Sequence, residues 1–170
     1  MSNLTTSQTI GPFPHEAWKW AVDATASTDN ATAAIRIHGV IVDGDNTPIN
    51  DGWAEAWLPD SMAAESAQAL PGYRRMSTDE AGSFAFTISA SQIRTGKPVA
   101  YITVFARGLL KHQFTAIFLE DDPALAQSAL LEQVPAARRN TLIARKQDDG
   151  SYRWDIHMQG DNETVFFDYE

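Results

Sequence analysis

The chain has no cysteine among its 170 residues. This absence excludes a disulfide framework, a thiolate metal site and a thiol nucleophile. No apolar run approaches the length needed to cross a bilayer, and the N-terminus has no basic segment followed by an apolar one. We therefore expect a cytoplasmic protein with no membrane partner.

Basic residues are also scarce. Thirteen Lys and Arg residues stand against 22 Asp and Glu residues, which gives a formal net charge of -9. Nucleic-acid binding depends on clustered cations that release counterions from phosphates, so this balance argues against a nucleic-acid partner. A site for a small anion must instead be made by a few placed cations.

Local catalytic motifs are missing as well. The four histidines, His15, His38, His112 and His157, are too far apart in sequence for an H-x-H or H-x3-H metal motif. No serine stands in a G-x-S-x-G setting, and there is no phosphate-binding loop. We therefore interpret most of the histidines as surface or network residues.

The chain does contain short β patterns that are separated by turn residues. They cover 34–43, 53–58, 73–89, 99–119, 141–159 and 163–169. Asp122 and Pro123 precede residues 124–134, the one convincing helical pattern. The sequence thus predicts an all-β fold, an antiparallel β-sandwich with one short helix, as a single domain over 1–170. Residues 1–32 are its extended arm and connector, because prolines at 12 and 14 disfavour regular structure.

Residues 98–119 contain a charged residue, Arg107, at the end of an apolar strand, and its partner bears on function. Both faces of the strand at 99–106 are nearly apolar, which favours a strand covered on both sides. Arg107 follows it directly. A charge that is desolvated there without a partner costs several kcal/mol. We therefore expect Arg107 to meet either a carboxylate or an anionic ligand.

A set of segments along the whole chain resembles one enzyme family. In order, they are SQTIGPF, GVIVDGDNTPINDGWAEAW, STDEAGSFAFTI, VFARG, FLEDDPA, RRNTLIARK and YRWDIHMQGDNETVFFD. Together they closely resemble the alpha chains of the protocatechuate 3,4-dioxygenases, which are intradiol ring-cleaving enzymes. The resemblance covers nearly all the chain and is strongest after Pro98.

The resemblance implies an enzyme of alpha and beta chains, whose non-haem Fe(III) is held by two Tyr and two His of the beta chain. The H-x-H ligands of beta chains fall here on Val99 and Tyr101. This ligand set is incomplete, so the resemblance implies no iron site and no catalytic residue in this chain. We expect Tyr101 to be a core tyrosine.

The resemblance also implies which residues line the partner's substrate pocket. The family's T-x-G-P-aromatic arm corresponds to Thr9, Gly11, Pro12 and Phe13, and the arginine of F-A-R-G is Arg107. The family usually has tyrosine where this chain has Phe13, so a hydroxyl beside the substrate is absent.

The implied activity is cleavage of protocatechuate by O2 to 3-carboxy-cis,cis-muconate, in a higher oligomer of alpha-beta units. Two alternatives stay open. One is an alpha subunit for another anionic catechol, such as 4-sulfocatechol. The other is a non-catalytic β-sandwich that serves as a binding or assembly module.

Overall fold

The protein is described from a computed structural model, which covers residues 6, 8, 9, 11, 19–25 and 34–168. The strands within these residues are β1 (Ala34–Val42), β2 (Trp53–Trp57), β3 (Tyr73–Ser77), β4 (Ser83–Ser89), β5 (Ala100–Phe105), β6 (Gln113–Leu119), β7 (Ile143–Lys146), β8 (Tyr152–Arg153) and β9 (Ile156–His157). The α-helices are α1 (Lys19–Thr25) and α2 (Ala129–Glu132), and the 3-10 helices are Ala90–Gln92, Leu125–Gln127 and Ala136–Leu142. None of these helices is long and apolar enough to cross a membrane.

The strands form two layers. One layer has the order β3-β2-β5-β6, and β7 leads from β6 into the other layer, β8-β1-β4, with β9 also paired to β1. Most pairs are antiparallel, whereas β1 pairs with β8 and β9, and β6 with β7, in parallel. The predicted β-sandwich is confirmed.

The main core lies between the two layers. Side chains alternate across each strand, so every second residue points inward. The fully buried residues include Ala54, Ala56, Ile102 and Val104 from one layer and Ile37 from the other. A smaller cluster lies on the outer face of β6, where Phe118 packs with Leu131, Val134 and Leu142. The core-facing side of β5 is buried, but its outer side is only partly covered, with Thr103 buried, Phe105 half-buried and Tyr101 exposed. The two covered faces predicted from the sequence are therefore found only in part.

The helices differ from the sequence prediction in length and position. Residues 124–134 form a 3-10 turn and the four-residue α2, because Ser128 caps a new start and Pro135 follows closely. The predicted last strand at 163–169 is reduced, in its described part, to one bridge between Phe167 and Phe114.

Helix α1 lies in a stretch that the sequence predicted to be irregular. Ala21 and Thr25 are buried one turn apart, on the side that faces β3. The Thr25 hydroxyl accepts a hydrogen bond from the Arg75 amide at 3.0 Å. Since β3 ends its layer, α1 covers an edge strand and satisfies one of its exposed donors.

Candidate functional site

Arg107 lies just beyond the end of β5, in the turn that leads to β6. Gly108 has φ of 90°, a backbone angle that glycine adopts without strain, and the Leu109 amide donates to the Ala106 carbonyl at 3.2 Å. The Arg107 side chain is 65% exposed. The cost of desolvation assumed from the sequence therefore does not arise in this chain.

Of the two partners expected for Arg107, the structure provides a carboxylate. Arg107 Nε lies 2.9 Å from Asp51 Oδ2. Strands β2 and β5 are antiparallel with Trp53 opposite Phe105, so two further residues along this register place Asp51 opposite Arg107. The Asp51 side chain is only 14% exposed. The pair thus joins a largely buried carboxylate to an exposed guanidinium group.

The backbone next to Asp51 is firmly held. The Gly52 amide donates to the Thr78 hydroxyl at 3.1 Å, and the Thr78 amide donates to the Gly52 carbonyl at 3.0 Å. A Cβ atom on Gly52 would lie 3.2 Å from the Phe105 carbonyl oxygen, which shows how closely β2 and β5 approach. Sequence reasoning missed Asp51, because only the strand register relates it to Arg107.

The contact between Asp51 and Arg107 is an ion pair without a well-aligned hydrogen bond. Asp51 Oδ2 is buried, and no described donor points at it with good geometry, although Arg107 Nε is close. The attraction therefore comes mainly from the opposite charges, which act over a short distance at the edge of a buried region.

An open cleft of about 400 Å³ lies beside Arg107. Its polar side chains are Asp43, Arg107, Gln113, Gln159 and Glu163, and its larger apolar ones are Ile49, Leu109, Met158 and Phe166. This volume lies in the range typical of small-molecule sites. Arg107 is the one cation among the described residues that line it, so it is the natural contact for an anionic group.

The arm residues predicted to line a substrate pocket are only partly described. Thr9 is exposed and Gly11 is partly exposed, whereas Pro12 and Phe13 lie outside the described residues. Gly11 has φ of 89°, a conformation that disfavours other residues. Within the described part of the chain, no hydrogen bond joins Thr9 or Gly11 to Arg107. The pocket role of the arm stays a prediction.

Tyr101 lies towards the opposite end of β5 from Arg107. It is 40% exposed, and it stands in a row with Trp57 and Tyr73 on the outer face of the sheet. The prediction of a core tyrosine was wrong, because the core-facing residues of β5 are its neighbours Ala100 and Ile102. Trp57 is 46% exposed, so the row presents aromatic surface to solvent in this chain.

No histidine is among the described residues that line the cleft beside Tyr101. This second cleft is lined by Asp60, Arg94 and Lys97, which bring two cations and one carboxylate. Burial and the neighbouring Glu55 carboxylate raise the pKa of Tyr73, which lies in the same row, to about 12. Among the described residues, no group of three or more His, Cys, Asp or Glu side chains could hold a metal ion.

Two further charged clusters have structural roles. Glu65 and Arg74 form a buried bidentate pair, with Arg74 Nη2 2.5 Å from Glu65 Oε1. The Tyr152 hydroxyl donates to the Asp121 carboxylate, which also pairs with Lys146 at 2.8 Å. Mainly through Lys146, and despite partial burial, the pKa of Asp121 is lowered.

Comparison with solved structures identifies the class of fold. The chain is similar to the dioxygenase domain of a carbohydrate-binding fusion protein from Streptomyces sp. SirexAA-E, with a TM-score of 0.58 and 17% identity over 80% of this chain and 87% of that one. It is also similar to an intradiol ring-cleavage dioxygenase from Tetranychus urticae, with a TM-score of 0.56 and 12% identity over 94% and 98% of the two chains. The fold is that of the intradiol dioxygenases.

Sequence comparison identifies the family within this class. No family model matches the chain. The chain is 30% identical to the protocatechuate 3,4-dioxygenase alpha chain of Burkholderia cepacia, over 96% of both chains. It is also 30% identical to the alpha chain of Pseudomonas putida, over 97% of this chain and 96% of that one. The chain belongs to the protocatechuate 3,4-dioxygenase alpha-chain family of intradiol ring-cleavage dioxygenases. This membership implies non-haem Fe(III) and a beta-chain partner.

Proposed function

We propose that this chain is the alpha subunit of a protocatechuate 3,4-dioxygenase and closes the substrate pocket of a beta subunit that holds the iron. In the reaction, O2 cleaves the bond between the two hydroxylated ring carbons of protocatechuate. Both oxygen atoms enter the product, 3-carboxy-cis,cis-muconate, as parts of two new carboxylates. The two relatives at 30% identity support this reaction by their names.

Arg107 is the observation that carries the proposal. Its guanidinium group is exposed beside a cleft in which it is the one cation among the described lining residues. The carboxylate of protocatechuate is an anion that a guanidinium group can bind with two parallel hydrogen bonds. In a chain with a net charge of -9, such a cation attracts the substrate locally against the overall field.

The arm is proposed to complete the pocket wall. Thr9, Gly11, Pro12 and Phe13 match the family's arm motif, and Gly11 has a positive φ that favours glycine at this position of the motif. This segment would shape the wall and exclude water from the substrate. Phe13 supplies a ring without a hydroxyl, so any hydrogen bond that the family tyrosine makes is absent here.

The iron ligands are proposed to be two tyrosines and two histidines of the beta chain. The names of the two relatives, which are alpha chains, support this division between the chains. We further propose that alpha-beta units assemble into a higher oligomer, and that the exposed Trp57 and Tyr101 rings lie in contacts between chains.

Co-expression tests the division of labour. The chain is produced with and without a beta chain of the same family, and iron content and O2 consumption with protocatechuate are measured. We expect iron and ring cleavage only in the complex. Iron and activity in this chain alone would overturn the proposal.

Replacement of Arg107 tests its contact with the substrate. In the complex, Arg107→Gln removes a charge-assisted contact worth about 1.5–3 kcal/mol, which corresponds to a roughly 10- to 100-fold rise in KM for protocatechuate. The matched control is Arg36→Gln, since Arg36 is exposed on β1 and does not line the cleft. An unchanged KM in Arg107→Gln, at unchanged stability, would contradict the role of Arg107.

The sulfonated substrate is the second candidate. A sulfonate and a carboxylate are both anions, so Arg107 serves either one. Parallel assays of protocatechuate and 4-sulfocatechol with the same complex separate them through the ratio of their kcat/KM values.

A further inference from the structure

We propose, on the basis of the function proposed for Arg107, that Asp51 is a positioning residue that holds the guanidinium group by its Nε side and presents the Nη atoms to the anionic substituent of the substrate. The family resemblance includes the segment that contains Asp51 but assigns this residue no role. Its role emerges from the register of β2 and β5, which places it opposite Arg107, and from the 2.9 Å separation of Oδ2 and Nε.

The two partners differ in how firmly they are held. Asp51 is 14% exposed, and its neighbour Gly52 is fixed by reciprocal hydrogen bonds with Thr78. Arg107 is 65% exposed, and the described residues give it no other ion pair or hydrogen bond. A fixed charge beside a long, mobile side chain restricts that side chain. Asp51 is therefore the fixed element and Arg107 the element that it orients.

The planar shape of the guanidinium group determines which N–H donors of Arg107 remain available to a ligand. Its five N–H donors lie in one plane, and Asp51 lies against the Nε side. The outer edge formed by the two Nη atoms stays available. That edge matches two oxygens of a carboxylate or a sulfonate.

Asp51 also has an opposing effect on an anion, because its negative charge repels the substrate. The two effects predict opposite changes in KM for protocatechuate when the Asp51 charge is removed. Loss of orientation raises KM, whereas loss of repulsion lowers it. Glu163 provides a comparison, since it lines the same cleft as a carboxylate and pairs with Arg138 instead of Arg107. Glu163→Gln reports the effect of a nearby negative charge without the effect on orientation.

The experiment uses the iron-loaded complex with the beta chain and two substrates, protocatechuate and unsubstituted catechol. We expect Asp51→Asn to raise KM for protocatechuate roughly 3- to 10-fold, because an unrestrained side chain must be ordered on binding. The KM for catechol and both kcat values should change less than about twofold, since catechol has no anionic substituent to meet Arg107. Glu163→Gln should lower KM for protocatechuate, because it removes a negative charge from the cleft without freeing Arg107.

A double variant tests whether Asp51 acts through Arg107. When Asp51→Asn is added to Arg107→Gln, KM for protocatechuate should rise no further than in Arg107→Gln alone. An additional independent rise, or a fall in KM in Asp51→Asn alone, would overturn the inference. If Arg107→Gln itself has no effect, the proposed function fails. If Arg107→Gln raises KM but Asp51→Asn has no effect on it, the proposed function stands and the positioning role of Asp51 is wrong.

Arg107→Lys provides a second test that does not alter the buried carboxylate. Lysine keeps the charge but has a single nitrogen, so it cannot lie against Asp51 and also offer two separate nitrogens to the substrate. We expect KM for protocatechuate to rise almost as far as in Arg107→Gln. Full retention of the wild-type KM by the lysine variant would show that charge alone is sufficient.

Discussion

The buried pair of Glu65 and Arg74 gives the sharpest prediction about stability. Their side chains are 5% and 2% exposed, and the pair is bidentate, with a second contact of 3.0 Å between Arg74 Nη1 and Glu65 Oε2. Glu65 Oε2 also accepts a hydrogen bond from the Gly72 amide at 2.8 Å. Arg74 donates further to the carbonyls of Tyr73 and Thr87. This network attaches the 60–72 segment to the sheet.

Glu65→Gln removes the negative charge and leaves Arg74 buried without a counter-charge. Removal of one partner from such a pair costs about 3–5 kcal/mol. A domain of this size is stabilised by roughly 5–15 kcal/mol in total, so the loss is a large share. It corresponds to a fall in melting temperature of roughly 6–20 °C.

Urea denaturation and thermal melting followed by circular dichroism measure this effect. The matched control is Glu80→Gln, because Glu80 is exposed in a turn, and we expect a change within about 0.5 kcal/mol. The double variant Glu65→Met with Arg74→Met should lose less than Glu65→Gln, because no buried charge is left unpaired. A loss below about 1 kcal/mol for Glu65→Gln would refute the reasoning.

The pair also predicts a pH dependence. Burial alone would raise the pKa of Glu65, but the hydrogen bonds from Arg74 and Gly72 and the charge of Arg74 outweigh it, so the pKa lies below 4.5. A folded-state pKa below the unfolded one means that the contribution is fully present above pH 4.5 and is lost as pH falls through the lowered value. The difference between wild type and Glu65→Gln should therefore shrink only in acid. A difference that shrinks already above pH 4.5 would contradict this assignment.

Other substitutions test the packing of the sandwich and its hairpin. Gly39→Ala should prevent folding or cost about 4 kcal/mol or more, since its Cβ would lie 1.7 Å from the Trp154 carbonyl oxygen. Soluble yield and melting temperature measure this cost. The control is Gly44→Ala, because the atom nearest to its Cβ would be 3.2 Å away in the Gln159 side chain. Equal stability of the two variants would contradict the prediction. Tyr152→Phe should cost about 1.5 kcal/mol in urea denaturation, because it removes the hydroxyl that donates to the charged, partly exposed Asp121 carboxylate. An unchanged free energy of unfolding would contradict this prediction, because it would mean that water fully replaces the hydrogen bond between Tyr152 and Asp121.

Strand identity was predictable because short runs of apolar residues between turn residues are a local property. The run at 99–106 correctly indicated the strand β5, although its outer face is only partly covered. Helix α1 was not predicted, because its seven residues depend on packing against β3 and not on a capped, periodic sequence.

The burial or exposure of individual side chains was less predictable. Tyr101 and Ile102 are both apolar-looking neighbours in one strand, yet one is 40% exposed and the other 1%. The alternation predicts that they face opposite ways, but it does not tell which face the second layer covers. Arg74 and Arg75 look like surface charges in sequence, whereas both are buried against carboxylates brought from elsewhere in the chain.

The sequence by itself determined the β-sandwich class and the family resemblance, and it singled out Arg107 as a candidate, because each of these depends on residue types at fixed local spacing. Only the tertiary structure decided what Arg107 contacts. Asp51 is distant from it in sequence, and the pairing exists because two antiparallel strands meet in one register. A shift of register by one residue would place Asp51 on the other face. The orientation of the proposed substrate contact therefore depends on strand packing, which no local pattern specifies.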